Sequence, residues 1–113
     1  MYILETNETV VLTMLESIRQ GNQKEFDNLY QIYKPLINSK VSEFSQNLES
    51  DEIKQIASIA LYDAAMSYNP EKVDNKVTFG LYADICIRNR LISELRRTKN
   101  REVLNGEDRK SVV

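Results

Sequence analysis

Six cations, Arg88, Arg90, Arg96, Arg97, Lys99 and Arg101, fall within fourteen consecutive residues, directly after the apolar segment VTFGLYADICI. Guanidinium groups pair with phosphates and guanine edges, the amide of Asn89 suits adenine, and the ring of Tyr82 suits stacking on an unpaired base. Each good stack or bidentate base contact is worth about 1–3 kcal/mol, so a few such residues decide sequence preference. Other chemistries are short of parts. The 113 residues contain no histidine, and Cys86 is the single cysteine, so an intramolecular disulfide, a zinc finger and a Cys/His nucleophilic site are excluded by inventory. No carboxylate pair or glycine-rich phosphate loop stands out, and an enzyme is not expected. No metal or cofactor is implied.

The elements that must position these residues are helical. Three glycines, two prolines and 42% hydrophobic content fit one all-α domain of about four helices. A first helix is expected from about Asn7 to Gln20, with Val10, Val11, Met14, Leu15 and Ile18 as its apolar stripe and Gly21 as its stop. A second starts near Asn22, and Pro35 should kink or split it. Ser50 is the expected N-cap of a third helix over 51–68, whose first turn carries Asp51 and Glu52. Its buried stripe reads Ile53, Ile56, Ala57, Ala60, Leu61, Ala64 and Tyr68; Lys54, Gln55, Ser58, Tyr62 and Ala65 face the other way. Residues 69–77 form a loop, and a fourth helix runs from about Thr78 to Asn100. Residues 1–101 make up the expected domain; residues 102–113 are a charged tail or the start of a linker.

Charge follows the same division. Residues 1–57 carry net −4, residues 58–83 net −1 and residues 84–113 net +3, for a total of −2. A basic end on an acidic body suggests one anionic partner met by one face. On the fourth helix, Leu91, Ile92 and Leu95 hold one side, while Asn89, Arg90, Ser93, Arg96, Arg97, Asn100 and Arg101 cluster opposite. Tyr82 extends that polar face upstream. Asp84 and Glu94 stand where they can pair locally with Arg88 and Arg97.

The stretch LYDAAMSYNPEKVDNKVTFGLYADICIRNRLISELRR resembles region 2 of the sigma-70 family of RNA polymerase sigma factors, especially the sporulation sigma-H type. The shared elements are Leu61-Tyr62, Tyr68-Asn69-Pro70-Glu71-Lys72, Phe79, Tyr82-Ala83 and Cys86-Ile87-Arg88-Asn89, with FDNLYQIYKPLI as the upstream helix. The resemblance covers roughly residues 12–101. It implies a compact helical domain that binds the clamp helices of the polymerase largest subunit. It also implies that the domain recognises the promoter minus-ten element and holds bases flipped from the non-template strand. The implied polymerase-binding residues are Glu52, Gln55, Ser58 and Tyr62, with Ile56 and Ala57 standing where the family carries Glu and Gly. The implied DNA-binding residues are Tyr68, Phe79, Tyr82, Arg88, Asn89, Arg90, Ser93, Arg96 and Arg97. The loop after Lys72 is about three residues longer than the family pattern, as VDN. Partners implied are core polymerase, promoter DNA and an anti-sigma protein.

The family's further helix-turn-helix domain has no counterpart after Arg101, so the chain is expected to be either a fragment of a longer protein or a single-domain relative. The rival reading is a helical protein-interaction module, docking on polymerase or a regulator without reading DNA. The acidic N-terminus lacks the basic start of a secretory signal, and no apolar run approaches the ~20 residues that span a bilayer. A cytoplasmic location with no membrane partner is expected.

Overall fold

The computed structural model describes residues 8–72 and 77–105, with side chains described as far as residue 99. These residues form five helices: α1 (Glu8–Arg19), α2 (Gln23–Ile32), α3 (Lys34–Phe44), α4 (Ser50–Ser67) and α5 (Phe79–Asn105). The chain is all-helical over the described residues, with one helix more than the sequence suggests. The extra helix comes from Pro35. Having no N–H to donate, it sits in the first turn of α3, where that donor is not needed, and Tyr33 is the single residue between α2 and α3.

Several ends follow local chemistry. Gly21 takes φ +103°, the left-handed conformation that glycine adopts most cheaply, and its N–H and that of Asn22 close back onto Ile18 and Ser17 carbonyls. Asn22 then starts α2 by accepting from the Glu25 N–H at 3.3 Å. The N-cap of α4 lies one residue before the expected one. Glu49 occupies the cap position and makes no side-chain cap bond, while Asp51 and Glu52 lie in the first turn. At the other end of α4, Arg19 donates from Nε to the Ala65 carbonyl at 2.9 Å and from Nη2 to the Tyr68 carbonyl. A cation there complements the negative end of the helix dipole. This contact brings α1 over Ala65, which is buried rather than outward-facing. Val10, expected in the stripe of α1, is half exposed; the buried side is Val11, Met14, Leu15 and Ile18.

The core converges on the start of α5. Phe79 is 0% exposed and meets the rings of Tyr33 and Tyr68 edge-on, each at a centroid distance of 5.5 Å. Its N–H donates to Glu8 Oε2 at 2.9 Å, and Thr78 Oγ1 accepts from the Leu81 N–H, so two orphan donors of α5 are satisfied. Ala83, Ile87 and Leu91 continue the buried side of α5. Its principal neighbour is α4, which offers the small side chains Ala57, Ala60 and Ala64. The helix runs to Asn105, beyond the expected end near Asn100. The VDN insertion at 73–75 and most of the tail lie outside the described residues.

Truncating Phe79 to Ala should cost about 3–5 kcal/mol in urea unfolding followed by circular dichroism, as for a fully buried aromatic ring. Glu8→Ala should cost about 0.5–2 kcal/mol by removing the cap, and Glu8→Gln, which keeps an acceptor oxygen, should cost less.

Candidate nucleic-acid interface

The site is the seam between α4 and α5. An open groove of about 420 Å³ runs along it. From α5 it is lined by Asn89, Arg90, Ser93, Glu94 and Arg97, and from α4 by Asp63 and Ser67 over a floor of Ala60 and Ala64. Four of the nine residues expected to contact DNA therefore share one concavity. They do so because steps of three and four residues return to the same side of a helix. Tyr82 is half-buried just upstream. Its hydroxyl lies 2.9 Å from Ser67 Oγ, and its ring is tilted against Tyr68 at 5.1 Å. Arg96 is exposed and has no ion-pair partner among the described residues.

Phe79 and Tyr68 stand elsewhere. The family positions imply that each offers a ring to a base, yet they are 0% and 4% exposed, and no face of either reaches the surface. Tyr68 donates its hydroxyl to the Val77 carbonyl at 2.6 Å and so ties the end of α4 to the approach of α5. Burial, and after it the Glu8 carboxylate, raises the Tyr68 and Tyr33 phenols above their ordinary range. These rings hold α5 in place.

Arg88, which periodicity leaves out of the polar face and only the resemblance assigns to DNA, stands apart from that groove. Two residues before Arg90 on a helix, it points about 200° away from it. It pairs with Glu43 of α3, whereas Arg90 reaches across the groove to Asp63 of α4 at 2.5 Å. Arg97 pairs with Glu94 at 3.1 Å, as the sequence allows. Asp84 does not pair with Arg88. Its Oδ1 lies 2.7 Å from the Nζ of Lys40, a lysine only 6% exposed that also lies 3.5 Å from Glu43. Lys40, Glu43, Asp84 and Arg88 thus form one alternating network between α3 and α5. The Arg88 hydrogen bond, helped by the Lys40 charge, holds the Glu43 carboxyl below its ordinary value. Cys86 is half-buried on the groove side of α5, and burial pushes its thiol up.

The residues expected to meet polymerase lie on α4. Gln55 is exposed, Glu52 and Ser58 are half-buried, and Tyr62 packs edge-on against Phe26 of α2 at 5.4 Å. Sequence reasoning misses the most conspicuous members of this face. Ile59 and Met66 are 47% and 43% exposed, about two turns apart on the same stripe as Gln55 and Tyr62. Their apolar type suggests burial; only the packing of α4 shows them outside. The long-range partners Arg19, Lys40, Glu43 and Asp63 escape the sequence for a related reason, since no local spacing announces a contact between helices. Among the described residues no group of three or more acids, cysteines or histidines is placed to hold a metal, and no helix is long and apolar enough to cross a membrane.

Comparison with curated proteins finds the RNA polymerase sigma factor SigI of Bacillus subtilis (strain 168), 30% identical over 105 residues. The match covers 86% of this chain and 41% of that protein, so the chain spans about two fifths of its relative's length. This supports a relationship to the sigma-70 family without singling out the sporulation sigma-H type. No protein-family model and no solved structure matches the chain.

The network around Lys40 predicts an acid response. Because the folded-state pKa of Glu43 is lowered from about 4.5, its contribution is complete above that pH and disappears as pH falls through the folded value. Stability measured by urea unfolding should therefore fall more steeply below about pH 4.5 in the wild type than in Glu43→Gln. Carboxyl NMR should show the Glu43 titration moving back up in Arg88→Ala.

Proposed function

We propose that this chain is a non-enzymatic specificity module of transcription initiation, acting as sigma-factor region 2. It docks on core RNA polymerase through the outer face of α4 and recognises and opens the promoter minus-ten element along α5. The observation that carries this reading is the coincidence of two things. The chain is similar to SigI over most of its length, and Asn89, Arg90, Ser93 and Arg97 share one groove beside Tyr82. Arginines suit phosphate and guanine, Asn89 suits adenine, and Tyr82 is the ring nearest the groove with surface to offer an unpaired base. Arg96 and Arg97 supply backbone contacts. Phe79 and Tyr68 serve from within the core, and Arg88 serves from the α3 side of the helix.

On the polymerase side, Gln55, Glu52, Ser58 and Tyr62 form the docking face. Ile59 and Met66 add the apolar area that a helix-to-helix interface needs at its centre. Phosphoryl transfer belongs to polymerase in this scheme.

A second reading draws on a specific feature of the same surface. Arg88, Arg90 and Arg97 are each paired with an acid of the chain itself, and Ile59 and Met66 stand exposed, as in a module that binds only protein. The two readings part in one titration. Fluorescence anisotropy with a labelled non-template minus-ten oligonucleotide, with and without core polymerase, should show salt-sensitive binding for the promoter-reading module. Binding to polymerase with no such DNA signal would establish the protein-only module instead. Replacing Arg96 and Arg97 by Ala should weaken DNA binding and lower the salt slope by about 0.7 for each phosphate no longer neutralised. Tyr82→Ala should cost about 1–3 kcal/mol of affinity with little change in that slope. Unchanged binding in both variants would remove the proposed surface.

A further inference from the structure

We infer that Asp63 is a positioning residue that turns Arg90 from a phosphate clamp into a reader of base edges, so that the α4–α5 groove favours bases over backbone. The inference rests on the reading of α5 as a nucleic-acid face and adds a residue that this reading leaves unused.

The ion pair between Asp63 Oδ2 and Arg90 Nη1, at 2.5 Å, joins two helices across the groove. The partners lie 27 residues apart in the chain, so the pair is set by the fold and not by helix periodicity. Both side chains remain about half exposed, at 56% and 46%, so an incoming strand meets the pair intact. To a guanidinium, a carboxylate and a phosphate are close substitutes: each offers two oxygens to the same fork of N–H donors. A phosphate reaching Arg90 must therefore displace Asp63 and then lie beside its negative charge. A base edge faces no such conflict. It carries acceptors for the remaining N–H groups of Arg90 and donors for Asp63, so it can engage the pair without breaking it. Ser93 and Asn89, on the same wall, add a hydroxyl and an amide that serve edges equally well. The acid thus acts by rejecting the wrong part of the ligand, a form of specificity built from repulsion.

Arg96 offers the contrast. Exposed and without an ion-pair partner among the described residues, it meets backbone with no such competitor. The two arginines divide the work: Arg96 holds the strand and Arg90 inspects it.

The test compares two single strands of equal charge, a 12-nucleotide strand of mixed sequence and a 12-nucleotide abasic strand, by fluorescence anisotropy over a range of salt. Asp63→Asn should bind the abasic strand about two- to five-fold more tightly, the range expected when an exposed ion pair is removed, with a steeper salt slope. Its preference for the mixed strand over the abasic one should shrink by a similar factor. The gain should vanish in an Arg90→Ala background, since a double-mutant cycle isolates the pair. Asp27→Asn, which removes an exposed acid on α2, controls for net charge and should leave the preference unchanged. Asp63→Ser repeats the test with a different side chain, and circular dichroism checks that each variant is folded. A gain equal to that of Asp27→Asn, a gain that survives removal of Arg90, or no change at all would overturn the inference while leaving nucleic-acid binding standing. Absence of salt-sensitive binding of either strand by the wild-type chain would overturn the nucleic-acid reading itself, and this inference with it.

Discussion

The burial of Phe79 is the constraint on which the rest depends. Its ring is enclosed by Tyr33 from the α2–α3 junction and Tyr68 from the end of α4, and its N–H is held by Glu8 at the start of α1. Three separate parts of the chain therefore agree on where α5 begins. Once that point and the direction of Ala83, Ile87 and Leu91 are fixed, every later side chain of α5 has its azimuth assigned. Asn89, Ser93 and Arg97 then face α4, and Arg88 faces α3. The site is a downstream result of an aromatic lock placed a full turn or more before it.

Charge is managed on both flanks of that helix, in different ways. Toward α3, Lys40 is withdrawn from water and held between Asp84 and Glu43, with Arg88 closing the network. A buried lysine needs such partners, because the cost of desolvating an ammonium is met only by close opposite charge. Toward α4, the pair formed by Asp63 and Arg90 stays in solvent, where a partner is cheaply exchanged. The inner network therefore fixes the helix, and the outer pair remains free to respond to a ligand. A single cationic segment in sequence is thereby divided between a network around a buried lysine and a solvent-facing pair.

Much of this is legible from residue order. The helical class, Gly21 as a stop and the acids in the first turn of α4 follow from local rules of capping, propensity and period. So does the grouping of Asn89, Arg90, Ser93 and Arg97. The apolar first half of α5, whose composition suggests burial on several sides, instead leaves Leu81 and Ile85 nearly half exposed. Local rules fall short where a neighbour decides. Pro35 can kink or divide its helix, and the packing of Tyr33 into the core accompanies division. Periodicity puts Ala65 on the outer side because nothing in its own helix reveals that Arg19 brings α1 across it. Family position alone makes Phe79 and Tyr68 exposed rings, whereas a ring leading a largely apolar run has better reason to be core. Family position groups Arg88 with Arg90, although two residues on a helix nearly reverse direction.

The alanines of α4 have an outcome for divergence. Ala60 and Ala64 are at once the bed on which α5 rests and the bottom of the groove beside it. Any larger side chain there would fill the depression and lift the neighbouring helix together, so these positions are not independently adjustable. On the proposed reading, a change of preference falls to the rim, at residues such as Asp63, Ser67, Asn89 and Ser93, while the bottom stays small.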